Sequence, residues 1–289
     1  MDKPTGFAAA CSRSPMEQAE NLMTMTRAEA AACWEANAEI WTRHARAGLD
    51  VYRDRVNTPA FLAMLPPVTG LCGLDIGCGE GGNTRELARR GARMTALDIS
   101  PTFLCHAQVS EREEPLGIRY VHADAVSMPF ADAAFDFTTA FMSLMDLPDQ
   151  APALAEAHRV LRPGGFLQFS ILHPCFVPPH RRVLREADGA VRAIEVGGYF
   201  DVIDGRVDRW WFVTTPAEER ARVPPFQEPR FHRTLSAWLN LLVASGFSLE
   251  RLGEPRADET AASEVPAVAD TRVAPLFLHV RGRKPGPRA

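Results

Sequence analysis

The sequence predicts a doubly wound α/β domain, and three observations carry that prediction. Apolar runs suited to buried strands alternate with stretches of helical character between residues 71 and 172. The first run, ending Leu74-Asp75-Ile76, passes directly into the glycine-rich turn Gly77-Cys78-Gly79-Glu80-Gly81-Gly82. The next run, Met94-Thr95-Ala96-Leu97, ends on an acid, Asp98. Strands separated by helical segments of roughly ten residues imply a parallel sheet with right-handed crossovers.

Taken in order, residues 1–23 lack a continuous apolar core and read as a disordered leader, not a signal peptide. Residues 24–68 read as a helical lid. Trp34 and Trp41 share one face of its Ala- and Glu-rich first helix, which ends near Gly48. The later cluster Phe61, Leu62, Met64 and Leu65 is stopped by Pro66-Pro67. Strands are expected at 71–76, 94–98, 118–122, 135–141 and 166–172, with helices at 83–91, 101–112 and 151–160. The rhythm then breaks over residues 173–230, which hold many prolines and the pair Trp210-Trp211, with short strands at 190–196 and 206–213. Such a departure marks a substrate-binding insert. The core, 69–172, resumes over 231–283 with a helix at 234–245 closed by Gly246, then strands at 247–252 and 276–280 forming an antiparallel edge. The linker between those strands reads as loop.

Composition limits the partners. The 289 residues carry a net charge of -4 and no basic patch interleaved with aromatics, so nucleic acid is not expected. No run approaches the roughly 18 apolar residues of a membrane span. The six cysteines form no C-x-x-C pair and no Cys/His spacing suited to zinc, so no metal is expected and the thiols suit a reducing cytoplasm.

Gly77, Gly79 and Gly82 satisfy G-x-G-x-x-G, a turn that lets backbone approach an adenosine-bearing cofactor at a helix N-terminus. A dinucleotide would use it for pyrophosphate, which leaves an NAD(P)-dependent oxidoreductase as an alternative. Asp75 argues otherwise: a carboxylate there repels a pyrophosphate and attracts an α-ammonium group. Asp124, in Val121-His122-Ala123-Asp124-Ala125, suits a hydrogen bond to an adenine amine, and Arg162-Pro163-Gly164-Gly165 leads into the fifth strand.

Together LDIGCGEGGNTRELA, ALDIS, VHADAVSMPFADAAFD and HRVLRPGGFLQFSILHP, in this order, resemble the class I S-adenosylmethionine-dependent methyltransferases over about residues 70–175. The resemblance implies a Rossmann-like seven-stranded sheet with an antiparallel last strand. It also implies that Asp75, Gly77, Cys78 and Gly79 hold the methionine moiety and that Asp98 takes the ribose hydroxyls. Ile99 would pack on adenine, Asp124 and Ala125 would read its edge, and Phe141 and Met142 would lie beside the sulfonium.

The acceptor is less legible. His173, in His173-Pro174-Cys175-Phe176 just past the fifth strand, is a candidate general base, or else a histidine capping the strand end. Asp146 stands on the same rim as a candidate substrate contact or a helix cap. Trp34, Trp41, Tyr52 and Tyr199 are candidate acceptor-pocket residues, against the alternative that they pack the core. The expectation is a cytoplasmic enzyme that methylates nitrogen or oxygen of a small molecule in secondary metabolism, with S-adenosylmethionine as cofactor. A non-catalytic binding protein on the same scaffold is the alternative from another class.

Overall fold

A computed structural model describes residues 25–286; the expected leader at 1–23 lies outside the described residues. The chain opens with α1 (Arg27–Arg46), whose capping box is formed by Thr26 and Glu29. A π-turn (Arg53–Asn57) and α2 (Thr58–Met64) follow. The core then alternates through β1 (Cys72–Ile76), α3 (Gly82–Arg89), β2 (Arg93–Asp98), α4 (Pro101–Glu113), β3 (Arg119–His122) and β4 (Phe135–Phe141). A 3-10 turn (Leu144–Asp146), α5 (Gln150–Val160) and β5 (Leu161–Leu172) complete that run. The insert holds β6 (His180–Arg185), β7 (Val191–Gly197), β8 (Ile203–Trp210), α6 (Ala217–Arg220) and β9 (Phe226–His232). The chain closes with α7 (Leu235–Ala244), β10 (Ser248–Gly253), α8 (Glu259–Glu264), a 3-10 segment (Pro266–Arg272) and β11 (Phe277–Arg283).

Seven strands form one sheet in the order β10-β11-β5-β4-β1-β2-β3. Strands β1 to β5 pair in parallel, and β11 runs antiparallel to both β5 and β10. The central strands are apolar on both faces because helices cover both. Leu74, Ile76 and Phe169 pack on one side with Trp238 of α7; Met94, Phe137 and Phe166 pack on the other with Leu87 of α3.

Three local expectations change. The linker after β10 is not loop: Asp258 accepts the Ala261 N–H at 2.7 Å and starts α8, and Thr271 holds the Ala257 N–H at 3.0 Å. Residues Arg162–Gly165 bulge within β5, since Phe135 pairs with Leu161 while Phe137 pairs with Phe166. The insert is two separate ribbons, β6–β7 and β8–β9, built on strands at 180–185 and 226–232 that the sequence pattern does not reveal.

The ribbon β8–β9 packs against α1 and against the turn Leu144–Asp146. Buried Asn37 of α1 binds both backbone groups of one residue of β9: its Nδ2 donates to the Gln227 carbonyl at 2.9 Å and its Oδ1 accepts the Gln227 N–H at 2.9 Å. Thr214 adds a hydroxyl bond to the Leu49 carbonyl at 2.6 Å. Lid and insert therefore form one roof over the carboxyl ends of β1, β2 and β4.

Candidate active site

The glycine turn hangs from the neighbouring strand. The N–H groups of Gly77 and Cys78 both donate to the Leu97 carbonyl, at 2.9 and 3.0 Å. Gly77 has φ +69°, and a Cβ there would stand 2.4 Å from Ser143 Cβ, so only glycine closes this turn. The Ser143 hydroxyl in turn donates to the Ile76 carbonyl at 2.6 Å. At Gly79 a Cβ would meet nothing within 4 Å, which leaves its backbone face open to the cavity.

Asp98 ties this turn to the start of α4. It accepts the Gly79 N–H at 2.8 Å and the Ser100 N–H at 2.9 Å. Burial raises its pKa above the ordinary carboxylate value, with the N–H bonds opposing. Asp75 is more enclosed, at 1% exposure, and accepts hydroxyls from Thr84 at 2.5 Å and Thr139 at 2.8 Å. Burial pushes it up to about 6 despite those bonds. Asp124 accepts the Val126 N–H at 3.1 Å and pairs with Arg27 of α1 at 3.1 Å, so the lid reaches this carboxylate. The Ile99 carbonyl accepts from the His122 ring at 2.9 Å. Phe141 packs on Phe61 with ring centroids 3.9 Å apart, and Met142 turns the chain in the left-handed region at φ 55°.

Asp75, Gly77, Cys78, Gly79, Asp98, Ile99, Asp124, Ala125, Phe141 and Met142 all face one cavity of about 730 Å³. Its far end lies under the roof and is walled by aromatics. Trp41 meets Trp34, Trp210 and Phe212 edge-on, at 5.4, 5.7 and 4.9 Å. Tyr52 faces the same space but turns its hydroxyl to the Ala267 carbonyl at 2.6 Å and to Asp270 at 3.1 Å. Burial first, and Asp270 next, push that phenol above its ordinary pKa.

Asp146 also lines the cavity and caps no helix. It is 7% exposed, and among the described residues no group hydrogen-bonds its carboxyl. Opposite it on β9 is Glu228, which accepts the Trp210 indole N–H at 2.6 Å. Sequence reasoning misses Glu228, because Gln227-Glu228-Pro229-Arg230 carries no strand periodicity; the neighbouring Trp210-Trp211 pair was the available signal.

Two expected residues stand elsewhere. His173 does not line the cavity. It is 2% exposed, its Nδ1 accepts the Cys175 N–H at 3.2 Å, and its Nε2 therefore carries the proton donated to Glu254 at 2.9 Å. With its lone pair already occupied, the ring is a strand-end cap and not a general base. His173→Ala is accordingly expected to lower stability by about 1–3 kcal/mol, through the unpaired buried groups, and to leave cofactor affinity unchanged. Chemical denaturation with parallel calorimetry checks this. Tyr199 is likewise outside the cavity: its hydroxyl accepts the Leu235 N–H at 3.0 Å at the start of α7, and its ring packs on Phe200.

Residues 74–169 match the methyltransferase-domain family. The chain is 29% identical over 163 residues to the malonyl-[acyl-carrier protein] O-methyltransferase of Pectobacterium atrosepticum, covering 56% of this chain and 58% of that protein. It is 39% identical over 117 residues to an O-methyltransferase of Penicillium expansum, covering 38% and 42%. The chain thus spans about half the length of the curated relatives it matches. A crystal structure of an S-adenosylmethionine-dependent methyltransferase from Mesorhizobium loti superposes with a TM-score of 0.64 at 29% identity, covering 78% of this chain and 96% of that one. With the strand order, the glycine turn and the acids that follow it, these likenesses show that residues 74–169 form a methyltransferase domain of the class I, S-adenosylmethionine-dependent kind.

Proposed function

We propose that the chain methylates a discrete small molecule, at oxygen or nitrogen, within the cavity under the joined lid and insert. The observation that carries the reading is one continuous cavity: one end is built from the β1 turn and Asp98, the other from aromatics of α1 and β8–β9. A volume of about 730 Å³ lies within the range typical of small-molecule sites.

The cofactor end fits the group the family uses. The open face at Gly79 admits close approach to backbone, and Asp98 is a buried acceptor suited to ribose hydroxyls. Asp75 with Gly77, Cys78 and Gly79 would hold the amino-acid portion. Ile99 would pack on adenine, Asp124 and Ala125 would read its edge, and Phe141 and Met142 would shield the methyl-bearing sulfur. When bound, the cofactor supplies an activated methyl group. The protein's own residues position the acceptor and keep water out. Trp34, Trp41, Tyr52 and Asp146 would do so at the far end.

Oxygen is favoured because the two curated relatives described above are named as O-methyltransferases. We read the acceptor as a secondary metabolite, given the apolar walls, and place the protein in the cytoplasm, a reading supported by its free thiols. Among the described residues, no helix is long and apolar enough to cross a membrane. The test is titration calorimetry with S-adenosylhomocysteine, followed by transfer of an isotopically labelled methyl group into a small-molecule extract. Binding and labelling are expected; an absence of cofactor binding overturns the reading.

A further inference from the structure

At the acceptor end, two carboxyl groups share one wall. The turn Leu144–Asp146 packs on β9, and Asp146 and Glu228 border both the main cavity and a smaller one adjoining it. Such a pair in an otherwise aromatic chamber requires an explanation. Buried carboxylates are ordinarily satisfied by cations or N–H donors. Glu228 has only the Trp210 indole, and Asp146 has no partner among the described residues.

The neighbouring cations are committed elsewhere. Arg230, two residues along the same strand, gives one nitrogen to Asp208 at 3.2 Å and another to the Val177 carbonyl at 2.6 Å, and its charge only partly opposes the rise at Glu228. Arg233 pairs with Asp204 at 2.7 Å. His232, on the rim of the smaller cavity, binds the Tyr199 carbonyl at 2.8 Å. Arg209 of β8 is exposed, and Asp208 adds further negative charge. An unpaired acceptor aimed into a cavity is a site for a donor on a ligand.

We propose that Asp146 and Glu228 form a carboxyl pair holding a single proton between them, and that Asp146 receives the hydroxyl proton of the acceptor, which is a flat aromatic or enolic alcohol and not a free carboxylate. The inference rests on the methyl-transfer reading and supplies its acceptor class. In the reaction the shared proton lies on Glu228, and the ionised Asp146 takes the hydroxyl proton. The oxygen so freed forms the bond to the methyl carbon, and the electron pair of the broken carbon–sulfur bond stays on sulfur. The positive charge of the sulfonium and the negative charge of the carboxylate cancel in the products. Trp34, Trp41, Trp210 and Phe212 supply the faces and edges that hold a flat ring. A carboxylate acceptor would meet like charge here, at a cost that a neutral alcohol avoids. Burial pushes both acids up, Glu228 to about 7 and Asp146 well above the ordinary value, with Glu228 adding to the rise at Asp146.

The test uses the full chain saturated with S-adenosylhomocysteine, and 2-naphthol and 2-naphthoate as matched probes in titration calorimetry. Naphthol is expected to bind at least about tenfold more tightly than naphthoate, and Asp146→Asn to weaken naphthol by a similar factor. The double variant Asp146→Asn with Glu228→Gln is expected to erase the preference. A carboxylic-acid infrared band that titrates near neutral pH should be present in the wild-type protein and absent from the double variant Asp146→Asn with Glu228→Gln. Equal binding of the two probes by the wild-type protein, or the absence of that band, overturns the proposal. Cofactor affinity of both variants should match wild type; a wild-type protein that fails to bind S-adenosylhomocysteine refutes the methyl-transfer reading itself, separately from the pair.

Discussion

Asp98→Ala is expected to weaken S-adenosylhomocysteine binding by roughly 1.5–3 kcal/mol, about ten- to hundredfold, the range for hydrogen bonds to a charged group. The carboxylate lies at the end of β2, buried, between the glycine turn and the start of α4. It accepts the Gly79 and Ser100 N–H groups, so its removal also frees two backbone donors. Part of the loss therefore arises before any ligand arrives. Thermal unfolding of the ligand-free variant measures that part, and calorimetry measures the whole. Unchanged affinity would refute the ribose assignment.

Stability should respond to pH through Asp75 in a way its position makes unusual. Its carboxyl ionises at about 6 in the folded chain, against 3.8 ordinarily. Between those values the unfolded chain has released this proton while the folded chain keeps it, so the contribution to stability falls as pH rises. The full cost, on the order of 3 kcal/mol, is present above about pH 6 and vanishes below about pH 4. His279 works in the opposite sense: burial lowers it to about 4, so its contribution rises with pH over part of the same interval. The informative quantity is therefore the difference between wild type and Asp75→Asn. Urea unfolding at a series of pH values should show wild type losing ground to the variant from pH 4 to 7. Parallel curves would mean that Asp75 is ionised throughout.

Much of the core was legible because its strands are buried on both faces. Phe-rich runs such as Phe135–Phe141 and Phe166–Leu172 read as strands, and they are buried along most of their length. The ribbons of the insert are different. The strand His180–Arg185 alternates between exposed and half-buried positions, so its side chains carry no apolar period. The strand Phe226–His232 includes Pro229, which ordinarily argues against pairing, yet it pairs only with β8 and so tolerates a missing donor. The residues proposed to face the cofactor line one cavity for the same reason, since they end those strands. Glu228 was not legible, because its role depends on a ribbon folding back over residues far away in sequence. His173 misled because a position just past a strand end permits either a ligand-facing or an inward ring. The Cys175 N–H and Glu254 decide between them.

The roof over the cavity has an evolutionary consequence. Its two halves come from segments 190 residues apart in the chain, joined where Asn37 grips the backbone N–H and carbonyl of Gln227. Because that grip addresses backbone, the ribbon's outward side chains can drift without loosening it. The asparagine cannot drift alone, since its loss would strand a carbonyl and an N–H in the interior. Lineages that diversify what they methylate can therefore rewrite the ribbon freely, while a chimera that exchanges α1 without its asparagine should inherit a poorly closed vessel. On the proposed reading the ribbon is a replaceable fitting that selects the acceptor, and the asparagine is its latch.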